Sequence, residues 1–118
     1  MYECVFPFPP SINAAYGGGS GQKRFKSKAY KQWDAACPKL PFPANGIYLC
    51  PISISYIMYL PDKRRRDIGN YEKLVTDKLV SLNIIEDDNY KIIQEINIKF
   101  GGIDRDNPRI EVYIIPKD

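Results

Sequence analysis

Residues 61–73 read PDKRRRDIGNYEK, so Lys63, Arg64, Arg65 and Arg66 run directly into Asp67, and Lys73 follows shortly after. A carboxylate beside concentrated positive charge suits chemistry on a polyanion. The cations hold phosphates, while the acid and the ammonium work at one of them. A second group of acids, Glu86, Asp87 and Asp88, lies in a turn farther on. Gly69, inside the first stretch, contributes no ligand atom.

There is no histidine anywhere in the chain. A Ser-His-Asp or Cys-His arrangement is therefore excluded, as is a histidine general base. Any chemistry must come from carboxylates, lysine or tyrosine, most naturally with a metal ion. Carboxylate oxygens suit Mg²⁺ or Mn²⁺.

The elements that must position these groups can be read from periodicity. MYECVFPFPP opens as a strand with Tyr2, Cys4 and Phe6 on one side, and its prolines end it. GGGSG (17–21) is a flexible loop that leads into the cations of 22–31. Ser27 is placed to cap a short helix, SKAYKQWDAAC, in which Tyr30, Trp33 and Cys37 share a face. LCPISISYIMYL (49–60) is a central strand with two fairly apolar faces. Asn70 then suits the cap of a second helix, YEKLVTDKLVSLN, with Tyr71, Leu74, Val75, Leu79, Val80 and Leu82 as its apolar stripe. Asn70, Lys73 and Asp77, spaced three and four apart, stand on its other side. YKIIQEINIKF (90–100) and RIEVYII (109–115) close the chain as an antiparallel pair joined by GGIDRDNP. The order β-α-β-α-β-β predicts an α+β fold, a mixed sheet with two main helices, in one small domain over 1–118.

If the strand at 90–100 runs antiparallel beside the central strand, its start falls next to that strand's end. Asp67 and Asp88 then meet, with Lys73 facing back toward them. Two adjacent carboxylates repel, and a divalent cation resolves the repulsion. Each element also has a plainer meaning. RRRD alone is a solvated loop with a surface ion pair, and EDD alone is a sequence that favours a turn. The combination is what points to metal-dependent phosphodiester hydrolysis.

The formal net charge is only +3, yet the cations cluster. One cluster holds Lys23, Arg24, Lys26, Lys28 and Lys31, and the other is Lys63 to Arg66. Such a distribution predicts a local polyanion-binding face. Cys4, Cys37 and Cys50 have no metal-site spacing and read as small buried apolar residues in a reducing compartment. No apolar run is long enough to cross a membrane and no signal pattern opens the chain, so a cytoplasmic location is expected.

FPFPPSINAAY near the start, YLPDKRRRDIGNYEKLVTDKL in the middle and IIEDDNYKI after it resemble the RusA-type Holliday junction resolvases, and the terminal PRIEVYI fits the same pattern. That family's pattern has a P-x-P-P-S-x-N opening, arginines before D-x-D-N-x-x-K, and an acidic pair after the following helix. Carried over by position, Asp67 matches the first acid, Asn70 the asparagine and Lys73 the lysine. Asp87 and Asp88 match the later pair, and Asp77 is a further neighbour of the site. The motif's second acid falls on Gly69, a departure from the family. The resemblance implies a homodimer in a bacterial or phage-infected cell. It would bind four-way junction DNA and nick it with Mg²⁺ or Mn²⁺, with no nucleotide cofactor and no membrane. It also implies that Gly69 removes one of three carboxylates and impairs cleavage, Glu72 or Glu86 being the nearby acids that could substitute. Two other readings stand beside it: a non-catalytic module that recognises branched DNA by shape, and, with less support, an RNA-binding accessory protein, for which no aromatic platform is evident.

Overall fold

The structure, a computed structural model, describes residues 1–17, 25–40 and 46–117. Its elements are β1 (Tyr2–Pro7), β2 (Tyr16–Gly17), β3 (Phe25–Lys26), α1 (Lys28–Ala36), β4 (Ile52–Leu60), a 3₁₀ turn (Ile68–Asn70), α2 (Glu72–Ser81), β5 (Ile93–Ile103) and β6 (Arg109–Pro116). The main sheet has the order β1-β6-β4-β5, and β2 and β3 form a small separate ribbon. The α+β expectation is met, with β4 between two partners as its doubly apolar sequence required.

The pairing of β5 differs from the expectation. β5 runs parallel to β4, while β6 lies antiparallel to both β4 and β1. The last two strands are therefore not neighbours. The reason is α2: a helix between two strands carries the chain back along the sheet, so the next strand starts again in the original direction. β6 then fills the place on the other side of β4. β5 also runs past the expected end, through Gly101 and Gly102 to Ile103. An added Cβ at Gly101 would lie 2.7 Å from Ile57 Cγ2 and 2.8 Å from Tyr59 Cζ, so the strand needs a glycine for this approach.

Alternation along β4 buries Ile52, Ile54, Tyr56, Met58 and Leu60 beneath the helices, together with Phe6, Ile110, Val112 and Ile114. Helix α1 begins as its sequence predicts, with Ser27 Oγ accepting from the Tyr30 amide at 3.2 Å. It lies over the β1 side of the sheet, where Trp33 packs on Phe6 and its indole N–H donates to the Pro7 carbonyl at 2.7 Å. Helix α2 lies over β4, and its buried Thr76 hydroxyl bonds the Tyr56 hydroxyl. Lys78 joins the helices through Asp34 at 2.7 Å. α2 ends on Asn83 at φ 59°, with the Asn83 amide donating to the Val80 carbonyl and the Ile84 amide to the Leu79 carbonyl. That is a Schellman cap, with asparagine in the left-handed position usually held by glycine.

Of the cysteines, Cys4 is buried as expected, Cys37 is half-buried, and Cys50 is exposed on the approach to β4. The expectation of three buried thiols fails at Cys50. Burial pushes the Cys37 thiol up to about 11, and the Cys4 thiol to about 12, so neither is ionised at neutral pH.

Candidate functional site

Helix α2 does not start on an Asn70 cap. Asn70 closes the 3₁₀ turn, its amide bonded to the Asp67 carbonyl at 3.0 Å, and α2 begins after Tyr71 without a side-chain cap. The Asn70 carbonyl instead accepts from the Ile12 amide at 2.8 Å, while Phe8 stacks on Tyr71 with ring centroids 4.7 Å apart. The FPPSIN segment thus clips the 67–71 loop to the body of the protein. This is a physical reason for two distant motifs to occur together.

Lys73, on the first turn of α2, forms ion pairs with Asp88 and, at 3.1 Å, with Asp77. The Asp77 contact is the i,i+4 neighbour on the same helical face. The Asp88 contact cannot arise from the antiparallel pairing expected from sequence. Parallel β5 alone would leave Asp88 at the opposite end of the sheet from Asp67. The polypeptide between α2 and β5 is tied to the approach to β4 by a bridge between Tyr48 and Ile85, and beyond that bridge Asp88 meets the Lys73 ammonium. It ends in a tight polar turn. Asp87 accepts from the Asp88 amide at 2.8 Å and from the Asn89 side chain at 3.0 Å, while Asn89 accepts from the Lys91 amide at 2.9 Å. Asp87 therefore shapes the turn that presents Asp88. The Lys73 ammonium holds the Asp88 carboxyl below the ordinary carboxylate range, and Asp88 in return raises the lysine.

Asp67 precedes the 3₁₀ turn with its side chain exposed. Gly69 is exposed too. Its φ lies outside the region that favours glycine, and a Cβ built on it meets no atom within 4 Å. Nothing in the backbone or the packing requires glycine at this position. Among the described residues no group of three acids or cysteines is arranged to hold a metal ion. A three-carboxylate site for Mg²⁺ or Mn²⁺ therefore does not fit the side chains present: Asp67 stands exposed before the turn, Asp88 is paired with Lys73, and position 69 carries only a hydrogen atom. Glu72 is half-buried and bonds back to Thr76, and burial raises its carboxyl, so it is not presented as a substitute ligand. Glu86 is exposed.

The arginine loop divides into two kinds of cation. Arg66 is turned inward, its guanidinium bidentate on Asp62 at 2.6 and 3.2 Å. Asp62 also accepts from the Arg64 amide at 2.9 Å, and these partners hold its carboxyl well below the usual range. Arg66 thus orders the loop rather than presenting charge, a role that its D-x-x-x-R spacing from Asp62 foreshadows. Lys63, Arg64 and Arg65 are exposed. In the other cluster, Lys28 is exposed, and Lys26 sits 4.6 Å over the Tyr30 ring and 3.7 Å from Asp34. Lys23 and Arg24 lie outside the described residues.

The ion pairs fix how stability should depend on pH. Asp34, Asp62 and Asp88 all have folded values below their unfolded ones, so each stabilises the fold above about pH 4 and loses that contribution as pH falls through its folded value. Lys73 is raised, so its contribution is complete below about pH 10 and is lost as pH rises through its folded value. Thermal unfolding should therefore show a lower Tm at pH 3 than at pH 7, with the acid-side loss reduced by Asp88→Asn. An acid limb unchanged by that substitution would contradict the Lys73–Asp88 pairing.

The chain matches the family described as Endodeoxyribonuclease RusA over residues 7–115. The crossover junction endodeoxyribonuclease RusA of Escherichia coli strain K12 is 28% identical over 109 residues, which cover 87% of this chain and 90% of that one. The protein of the same name from Enterobacteria phage 82 matches at 28% over the same shares. That of Enterobacteria phage HK97 is 26% identical over 107 residues, covering 86% of this chain and 89% of the other. The match runs from Pro7 to Ile115 and so takes in the clipped loop, the lysine and the acidic turn, and the chain belongs to the RusA family of endodeoxyribonucleases.

Proposed function

We propose that this chain binds four-way DNA junctions as a homodimer, and that Gly69 leaves it impaired in metal-dependent strand cleavage. The observation that carries this reading is the juxtaposition at the start of α2. Lys73 lies between Asp77 and Asp88, and the preceding turn offers one exposed acid, Asp67, and an unconstrained glycine. The relatives are named crossover junction endodeoxyribonucleases, and a junction presents two equivalent strands that suit a twofold pair of subunits. Asp67 and Asp88 are the acids that would hold a divalent cation if a third ligand stood at position 69, and such an ion would supply an activated water and offset charge on the phosphate. The chain's own residues orient the phosphate and hold the lysine beside it. Loss of one carboxylate weakens the hold on the cation and removes a repulsion with DNA, so binding survives where cleavage fails.

Lys63, Arg64 and Arg65 are the cations available to flanking phosphates. A labelled four-way junction should shift in a gel at a protein concentration that leaves linear duplex of the same length unshifted. Arg64→Glu with Arg65→Glu should weaken that binding and reduce its dependence on salt by about two counterions. Arg66→Ala should instead lower the melting temperature of the protein through the loss of its contacts to Asp62. Equal affinity for junction and duplex would overturn the substrate assignment. The reading as a non-catalytic binding module makes the same binding prediction, and differs in expecting no cleavage even when Gly69 is replaced by an acid.

A further inference from the structure

The ribbon of β2 and β3 pairs Tyr16 with Lys26 and Gly17 with Phe25, and the Ser27 amide extends it by donating to the Ala15 carbonyl at 2.8 Å. One of its faces is fastened to the body. Tyr16 meets the buried Tyr30 edge-on, with ring centroids 5.5 Å apart, and Lys26 lies over the same Tyr30 ring and 3.7 Å from Asp34. Asp34 also pairs with Lys78 at 2.7 Å, so one carboxylate ties the ribbon to α2, the helix that carries Lys73. Side chains alternate along a strand, so Gly17 and Phe25 face away from α1. Phe25 is 61% exposed there. A Cβ built on Gly17 would stand 2.5 Å from Phe25 Cε2 and 2.6 Å from its Cζ, so the ring rests against the glycine backbone in room that only glycine leaves. One side of the ring is seated and the rest is open to solvent.

We infer that Phe25 stacks on an unpaired base of a DNA strand whose phosphates the neighbouring cations hold. The identity of the occupant rests on charge and on the size of the patch. In sequence the ring stands among Lys23, Arg24, Lys26 and Lys28, and both Lys26 and Lys28 are exposed. A single ring beside a glycine is too small a patch for an apolar peptide. One base needs one ring face for its own face and cations for its phosphates, and that is the combination present. Phenylalanine offers no hydrogen-bonding group, so the contact reads the face of a base and not its edge, and it accepts any sequence. The inference rests on the DNA reading above and adds to it a sensor for bases that have left the duplex stack, as beside an opened branch point.

A short single-stranded DNA, and the same strand with abasic sites in place of its bases, test the contact by fluorescence anisotropy with the full chain. The parent should bind the intact strand roughly tenfold tighter than the abasic one, and Phe25→Ala should lose that preference and bind both alike. Phe25→Trp should keep the preference. Phe25→Leu, apolar but without a ring face, should behave as alanine does. The slope of affinity against salt should be the same in all of these chains, because no charge changes. Gly17→Ala pushes the ring tip aside and should cut the preference with Phe25 still present. Since the ring is exposed, each Phe25 variant should keep the melting temperature of the parent. A parent chain that binds the two strands alike, or binds neither, would overturn the assignment. So would a preference that survives Phe25→Ala, Phe25→Leu or Gly17→Ala. A junction that still shifts in the gel would then leave the DNA reading intact, while a strand preference retained by a chain that binds junction and duplex equally would reject the junction reading alone.

Discussion

Replacing Gly69 by aspartate should raise Mg²⁺-dependent nicking of a four-way junction by roughly a hundredfold or more, the scale at which losing or gaining one charged group at a phosphoryl site acts. The structure permits the test because the variant should fold. The backbone at 69 is ordinary and its Cβ direction is open, so the new side chain meets neither strain nor collision. Removing a glycine also narrows the unfolded ensemble, which offsets part of the repulsion from Asp67. Gly69→Asn is the matched control, since it adds the same bulk without charge. Nicking that rises with aspartate and not with asparagine locates the effect in ligand charge. Equal activity in all three chains would show that residue 69 has no part in the chemistry. Junction affinity in Ca²⁺, measured alongside, should change little or fall slightly with aspartate.

The second large effect concerns the fold. Trp33→Ala should destabilise the protein by about 3–5 kcal/mol, the range for removing a large aromatic from a core. Trp33 is buried, packs against Phe6 and Tyr30, and satisfies the Pro7 carbonyl through its indole N–H. Alanine leaves both a cavity and an unpaired carbonyl. Since a domain of this kind is stable by only about 5–15 kcal/mol in total, the variant should unfold at much lower urea. Trp33 is the sole tryptophan, so far-UV circular dichroism is the proper probe. Trp33→Phe should fall between, keeping the packing and losing the hydrogen bond. A change under about 1 kcal/mol on Trp33→Ala would mean that α1 is not seated on β1 as described.

Local signals were legible in the sequence wherever a side chain acts on its own backbone or its own helical face. Ser27 caps α1, Tyr30 and Trp33 share its buried face, and Lys73 meets Asp77 one turn along. Strand β4 announced its central place through apolar residues on both faces. What the sequence did not carry was strand order, because alternation in β5 fixes which side chains share a face and says nothing of the neighbour or its direction. The antiparallel pairing expected for 90–100 was therefore wrong, although Asp88 still meets Lys73 on the first turn of α2. Asn70 was misjudged as a helix cap, and the loop-ordering role of Arg66 was missed, for a related reason. A run of cations does not reveal which member folds back on Asp62, and a good cap residue yields when a distant segment, here Ile12, needs its carbonyl. The left-handed Asn83 was visible only as an asparagine after an apolar stripe, a signal that a C-cap search would have found.

Divalent-ion binding in the absence of DNA probes the vacancy at residue 69 without relying on turnover. Mn²⁺ titration followed by electron paramagnetic resonance should give weak binding for the parent chain and a Kd lower by roughly tenfold or more for Gly69→Asp. Adding Asp88→Asn to that variant should abolish the gain. Identical Mn²⁺ affinity in the parent and Gly69→Asp, or a gain that persists without the Asp88 carboxylate, would contradict the convergence of these positions on one cation.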